Sequence, residues 1–349
     1  MSVLFEKIAA GGCLSYLIGC RDKCVAALID PEISHLDRYH GLLAQHCLRL
    51  RYVIDTHTHA DHFSASRQLR EAFGAQVAMH PLSPAPYADL RVDDGNILIL
   101  GELRMQAMHT PGHTRDSMCW QVENHLFTGD TLLFGGTGRT DLPTGDANAL
   151  YDSLFNRILK LDPNLNVHPA HDYKGNGAST IGKELASNPR LQKRNRDEFV
   201  TMMHSLNIAA PQHLTEALRT NMSGGKTIQQ LLSEAAAKTP FMSLDELHTR
   251  LNADEPNLLV LDVREKEAFD HAHLARARHV PRGQLELRIN SELPDPTQRI
   301  VVVCDFGKIS TLAAATLREL GYAHVVALDG GIKAWSDRGL PLEPSKALL

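Results

Sequence analysis

Short apolar runs, each closed by a turn signal, alternate along residues 1–175. Val25–Ile29 stops at Asp30-Pro31, 51–54 at Asp55, Gln76–Met79 at His80-Pro81 and Ile97–Leu100 at Gly101. The run 103–108 leads into His109-Thr110-Pro111-Gly112, and Met118–Val122 with 125–127 frames a hairpin around Glu123-Asn124. Aliphatic runs of this length between Gly, Pro, Asn and Asp predict strands. Apolar positions at helical spacing predict helices over 34–48, 65–72 and 147–160, with Asp146 capping the last. Mixed strands and helices predict layered α/β architecture.

The pattern changes further on. Residues 185–205 read as a polar, basic helical stretch, and 206–240 as an Ala-rich segment punctuated by Gly224-Gly225 and Pro240. The chain then restarts with predicted strands at 258–263, 300–303 and Val325–Leu328 and a helix at 311–320. That order predicts a small parallel sheet. At about 150 residues per domain, this length holds roughly two domains. The expected division is a domain over 1–225, a linker over 226–240 and a second domain over 241–349.

Composition narrows the classes of function. Hydrophobic residues make up 43% and charged residues 22%, the balance of a globular chain. A net charge of −5 gives no electrostatic reason to expect nucleic acid, and 5% aromatics leave little for base stacking. No apolar run reaches the roughly 20 residues of a membrane span, and the N-terminus lacks the apolar core of a signal peptide. The six cysteines form no dense framework, so reduced thiols and a cytoplasmic location are expected.

The 19 histidines matter for their placement. Thr56-His57-Thr58-His59-Ala60-Asp61-His62 follows a predicted strand and holds four metal-competent side chains. Thr110-Pro111-Gly112-His113-Thr114, Phe127-Thr128-Gly129-Asp130 and His168-Pro169-Ala170-His171-Asp172-Tyr173 follow, each with a His or Asp at or just past a strand end. Loops carried on a rigid sheet are where sites are built. By residue type alone, one metal and two metals fit equally well.

This ordered set resembles the metallo-β-lactamase superfamily over about residues 1–225, which implies an αββα sandwich with the metal at one edge. Gly138-Arg139-Thr140-Asp141 and Asn188-Pro189-Arg190-Leu191 look like its persulfide dioxygenase branch. Carried over by motif, His57, His113 and Asp130 would hold one Fe(II) per chain, a facial triad with open positions. His59, Asp61, His62 and His171 would support those ligands or form a vacant second metal site. The resemblance assigns Arg139 and Tyr173, and less strongly Thr114, to glutathione. A glyoxalase II-like hydrolase with two zinc ions is the alternative.

In the second domain, the apolar run 300–303 leads into Cys304-Asp305-Phe306-Gly307-Lys308-Ile309 and then a helix start. A cysteine at such a turn faces backbone amides and a helix N-terminus, which favour the thiolate. Residues 240–345 resemble a single rhodanese domain, through Leu261-Asp262-Val263-Arg264, Val280-Pro281 and Asp329-Gly330-Gly331. Many rhodaneses carry Arg where Ile309 stands. Lys308 is a point charge without Arg's fork, and Asp305 adds negative charge, so thiosulfate as donor is the call these residues weaken most.

Together, the resemblances imply oxidation of glutathione persulfide by O2 and water to sulfite and glutathione, and transfer of sulfane sulfur through a Cys304 persulfide. The shared small molecules are glutathione persulfide, sulfite and thiosulfate. Sulfur moves either from thiosulfate to glutathione or from Cys304 to sulfite. The expected partners are small molecules, with neither nucleic acid nor membrane, and a homodimer is the oligomeric state to test. A rhodanese domain serving only as sulfur carrier or sensor is the alternative for Cys304.

Overall fold

A computed structural model describes residues 3–173, 175, 177–209 and 214–344. The chain divides into two units, Met1–Gly225 and Lys226–Leu349. The first unit holds two six-stranded sheets. Sheet one runs β1 (Val3–Ala10), β2 (Cys13–Cys20), β3 (Val25–Ile29), β4 (Arg49–Ile54), β5 (Gln76–Met79), β6 (Leu90–Arg91) in spatial order. Sheet two holds β7 (Ile97–Leu100), β8 (Leu103–His109), β9 (Met118–Val122), β10 (His125–Gly129), β11 (Asn166–Pro169) and β12 (Ser179–Thr180), again as sequence neighbours.

The side-chain period of two explains why these strands stack. In β2, Leu14, Tyr16 and Ile18 join Trp120 and Phe127 in one core, whereas Leu17 joins Tyr39, Leu43 and Leu69 in another. β3 divides likewise, with Ala27 and Ile29 on one side and Ala26 and Leu28 on the other. Both faces of sheet one are therefore buried, and the helices Leu36–Gln45 and Ser66–Phe73 supply the outer cover. β8 alternates buried Leu103, Met105 and Ala107 with exposed Arg104 and Gln106.

Asp146 does cap its helix, accepting from the amides of Asn148 and Ala149. The helix expected over 147–160 is α-helical only over Ala147–Tyr151; it then widens to a π-helix and tightens to a 3₁₀ turn. Leu150, Leu154 and Ile158 stay in the core throughout. The basic stretch 185–205 resolves into the end of helix Ile181–Ser187, a 3₁₀ turn over Pro189–Gln192 and helix Arg196–His204.

The second unit is a five-stranded parallel sheet of β13 (Phe241–Met242), β17 (Val325–Leu328), β16 (Arg299–Val303), β14 (Leu258–Asp262) and β15 (Arg278–His279), in that order. Ile300 and Val302 face one core, Val301 and Val303 the other, so β16 reads as a continuous apolar run. Residues 226–240, expected as a linker, hold the helix Ile228–Lys238, which a capping box at Thr227 and Gln230 starts and which packs on Lys308–Glu319. No helix among the described residues is long and apolar enough to cross a membrane.

Candidate active sites

Four strand ends deliver the first site. His57, His59, Asp61 and His62 follow β4, His113 follows β8, Asp130 follows β10 and His171 follows β11. His57, His113 and Asp130 each offer one ligand atom, all within 4.8 Å of one another, and all three residues are buried. The loops hold those atoms in orientation. His57 Nδ1 donates to Thr56 Oγ1 (3.0 Å), and that hydroxyl in turn donates to Asp30 Oδ2 (2.9 Å). The tautomer so fixed leaves Nε2 with a free lone pair, and this buried atom has no hydrogen-bond partner. His113 Nδ1 donates to the Arg139 carbonyl (2.8 Å), which leaves its Nε2 free as well.

Charge follows the same plan. Burial, reinforced by His59 and His113, lowers the pKa of His57 to about 3, so it stays neutral and able to ligate. Burial opposes ionisation of Asp130, but His171, His113 and His57 override it and hold the carboxyl well below its ordinary range. Backbone approaches are tight: a Cβ on Gly138 would lie 2.2 Å from the Asp130 carbonyl oxygen and 2.9 Å from the His113 ring. Buried imidazoles with free lone pairs, next to an ionised carboxylate, are a donor set that fits a divalent transition metal.

A second group lies beside the first: Cys13, Asp61, His62 and His171, with ligand atoms also within 4.8 Å of one another. His171 links the two groups, with Nδ1 2.7 Å from Asp130 Oδ1 and Nε2 2.6 Å from Asp61 Oδ2. The second approach is off the line a hydrogen bond prefers, and Nε2 remains unsatisfied by that measure. Burial opposes charge on His171, but Asp130 and Asp61 raise its pKa well above the ordinary value. His59 packs against a member of each group, its ring centroid 4.1 Å from those of His57 and His62, while its Nε2 lies 3.1 Å from Asp30 Oδ1 in a third group with Asp55.

A cavity of about 840 Å³ opens on the site, walled by Cys13, His113, Asp130, Arg139, Tyr173 and Arg190 among others. Tyr173 stacks on the His171 ring (5.1 Å, 5°) and is 69% exposed, so its phenol reaches the cavity. Arg139 is spoken for: it holds Asp141 through two bonds of 2.6 and 2.7 Å and also donates to the carbonyls of Ala209 and Ile208. Thr114 is buried, bonded to Ser117 Oγ (2.8 Å). Arg190 was quoted only as part of a motif; it donates to Thr137, and burial lowers its pKa, the mark of a half-buried cation on the wall.

The second unit's site is local. Cys304 directly follows β16 and is 2% exposed, and the Ser310 amide donates to its Sγ at 3.2 Å. Ser310 Oγ lies 3.4 Å from the same sulfur. Gly307, at φ +81°, starts the 12-residue helix Lys308–Glu319 behind it. The negative charge of Asp305 is met by Arg264 (3.3 Å), which buried Asp262 also grips at 2.7 Å. Phe306 and Ile309 are 68% and 49% exposed, so the mouth of the loop is apolar.

The fold is that of the metallo-beta-lactamase superfamily, whose description matches residues 8–171; a rhodanese-like domain matches 243–338. Human (Homo sapiens) persulfide dioxygenase ETHE1, mitochondrial, is 38% identical over 225 residues, covering 64% of this chain and 87% of the relative. The crystal structure of ETHE1 from Myxococcus xanthus is 38% identical, with a TM-score of 0.62, over 64% of this chain and 100% of that one. Hydroxyacylglutathione hydrolase of Francisella tularensis subsp. novicida is 37% identical over 155 residues, 44% of this chain and 60% of the relative. The chain thus belongs to the persulfide dioxygenase ETHE1 family and carries a rhodanese-like domain C-terminal to it. It is an enzyme whose fold implies a bound metal.

Proposed function

We propose that the first unit oxidises glutathione persulfide with O2 and water to sulfite and glutathione, at one Fe(II) held by His57, His113 and Asp130. The convergence of these three buried donors, with His113 and Asp130 on the cavity wall, carries this reading. Ferrous iron held by these residues would supply the redox chemistry that zinc lacks. His57 and His113 bring neutral nitrogens, Asp130 brings a negative charge, and Thr56 and Asp30 fix the His57 ring. Arg190 is the cavity cation suited to a carboxylate of the tripeptide, and the Tyr173 phenol stands beside the sulfur's approach. Arg139, bound to Asp141, shapes the wall beneath them.

His171, 2.7 Å from Asp130 and 2.6 Å from Asp61, bridges the two donor groups. The cluster with Cys13 and His62 favours the two-metal hydrolase reading. Metal content decides between them: one Fe per chain with oxygen uptake supports the dioxygenase, and two Zn with thioester turnover supports the hydrolase.

In the second unit, the Cys304 thiolate attacks the sulfane sulfur of a donor. The donor's S–S bond breaks and its other sulfur leaves with the electron pair. The Ser310 amide and hydroxyl face the Cys304 sulfur. An acceptor, sulfite or glutathione, then attacks the outer sulfur and regenerates the thiolate, giving thiosulfate or glutathione persulfide. The reaction takes place in the cytoplasm in this reading, with small molecules as the only partners. Repeated turnover with a persulfide donor and sulfite tests it; a sensor thiol would load once and stop.

A further inference from the structure

Of the six cysteines, only Cys304 has a role so far, and Cys13 is placed to have one. It opens β2, straight after the Gly11-Gly12 turn, and its backbone bridges to His171. Its sulfur shares the four-residue group with Asp61, His62 and His171. It lines the cavity that His113 and Asp130 also line. His62 beside it is 6% exposed, and both of its ring nitrogens are buried without a well-directed hydrogen bond. Two imidazoles thus face one thiol at the wall of a substrate cavity.

The other thiols differ in kind. Cys119 lies in the core, where burial pushes its pKa up to about 11. Cys24 and Cys47 are exposed on surface turns.

We propose that Cys13 is a second sulfur-accepting thiol of the chain, taking sulfane sulfur from a low-molecular-weight persulfide seated in the cavity. The inference rests on the persulfide substrate proposed above. In the step, Cys13 Sγ bonds to the outer sulfur of the persulfide. The bond between outer and inner sulfur breaks, and the inner sulfur leaves with the electron pair as a thiolate. One thiolate is consumed and one released, so no oxidant is needed. His62 is the positioning residue, its imidazole beside the sulfur before and after transfer. The product is a Cys13 persulfide that keeps a sulfane sulfur beside the metal ligands.

The test uses the metal-loaded full chain, held without oxygen and given glutathione persulfide. Thiols and persulfides are then trapped by alkylation and read peptide by peptide in the mass spectrometer. Cys13 is expected to gain one sulfur atom at least about tenfold faster than Cys24 and Cys47. His62→Gln should slow loading of Cys13 about tenfold while Cys24 and Cys47 load as before, a readout that mere misfolding would not give. Loading of Cys13 no faster than the two surface thiols, or a His62→Gln chain that loads Cys13 normally, overturns the proposal. Oxygen uptake on the same preparation separates the two readings. A working dioxygenase whose Cys13 stays free sinks this inference alone, and a loaded Cys13 without oxygen uptake sinks the dioxygenase alone.

Discussion

The two sites are built in opposite ways. The metal group draws His57, His113 and Asp130 from three strand ends spread over more than seventy residues, and each ligand is aimed by a partner from another segment. The cysteine site needs one strand, one six-residue loop and one helix, and the Ser310 amide that meets the Cys304 sulfur is six residues away. A dispersed site depends on the whole sandwich, whereas a local site depends on one turn. Substitutions in the first unit should therefore affect metal content and stability together, and those in the cysteine loop should affect chemistry alone.

The largest effect expected is at the donors. His113→Ala and Asp130→Ala should bring bound iron and oxygen uptake down to the background of metal-free protein, while sulfur transfer stays within about twofold of wild type. Cys304→Ser should do the reverse, removing sulfur transfer and leaving oxygen uptake. Assays of both activities on each purified variant check this, and loss of both activities in a folded variant would break the division.

Effects at one remove should be smaller. Thr56→Val cuts the relay from Asp30 to His57 while keeping its shape, and should weaken iron binding about 10–100-fold, read by chelator competition. Gly138→Ala would press a methyl against the Asp130 carbonyl and the His113 ring, and should lower both the melting temperature and iron content. A matching Gly283→Ala, where a Cβ meets nothing, should change neither.

The smallest effect concerns pH and stability. His168, packed among the rings of Phe5, Tyr16 and His125, is held neutral by burial, with its pKa lowered to about 3. A base whose folded pKa is depressed contributes stability in full above its unfolded value, near 6.5. It loses that contribution progressively as pH falls towards 3. Thermal melts between those limits should fall less steeply in His168→Gln than in wild type.

The four loops that build the candidate site were legible because each His or Asp sits at the end of an apolar run, and a run's end is a local signal. Cys304 was legible for the same reason. Cys13 was not: Gly11-Gly12-Cys13 reads as an ordinary hairpin turn, and only an isolated bridge from the start of β2 to the loop after β11 brings it against His171. Arg139 pairs with Asp141 two residues away and also lines the cavity, so its motif alone does not decide between a loop salt bridge and ligand binding. The helix over Ile228–Lys238 was read as linker because its small residues leave little apolar stripe; packing on a neighbouring helix supplies what the pattern lacks.

Oxygen consumption by chain loaded with Fe(II) without air and given glutathione persulfide, with sulfite assayed in the same vessel, tests the central claim most directly. The account predicts one sulfite formed for each O2 consumed, and no uptake in His113→Ala. No uptake by wild-type chain with one bound iron, together with thioester hydrolysis when two zinc ions are bound, would contradict it.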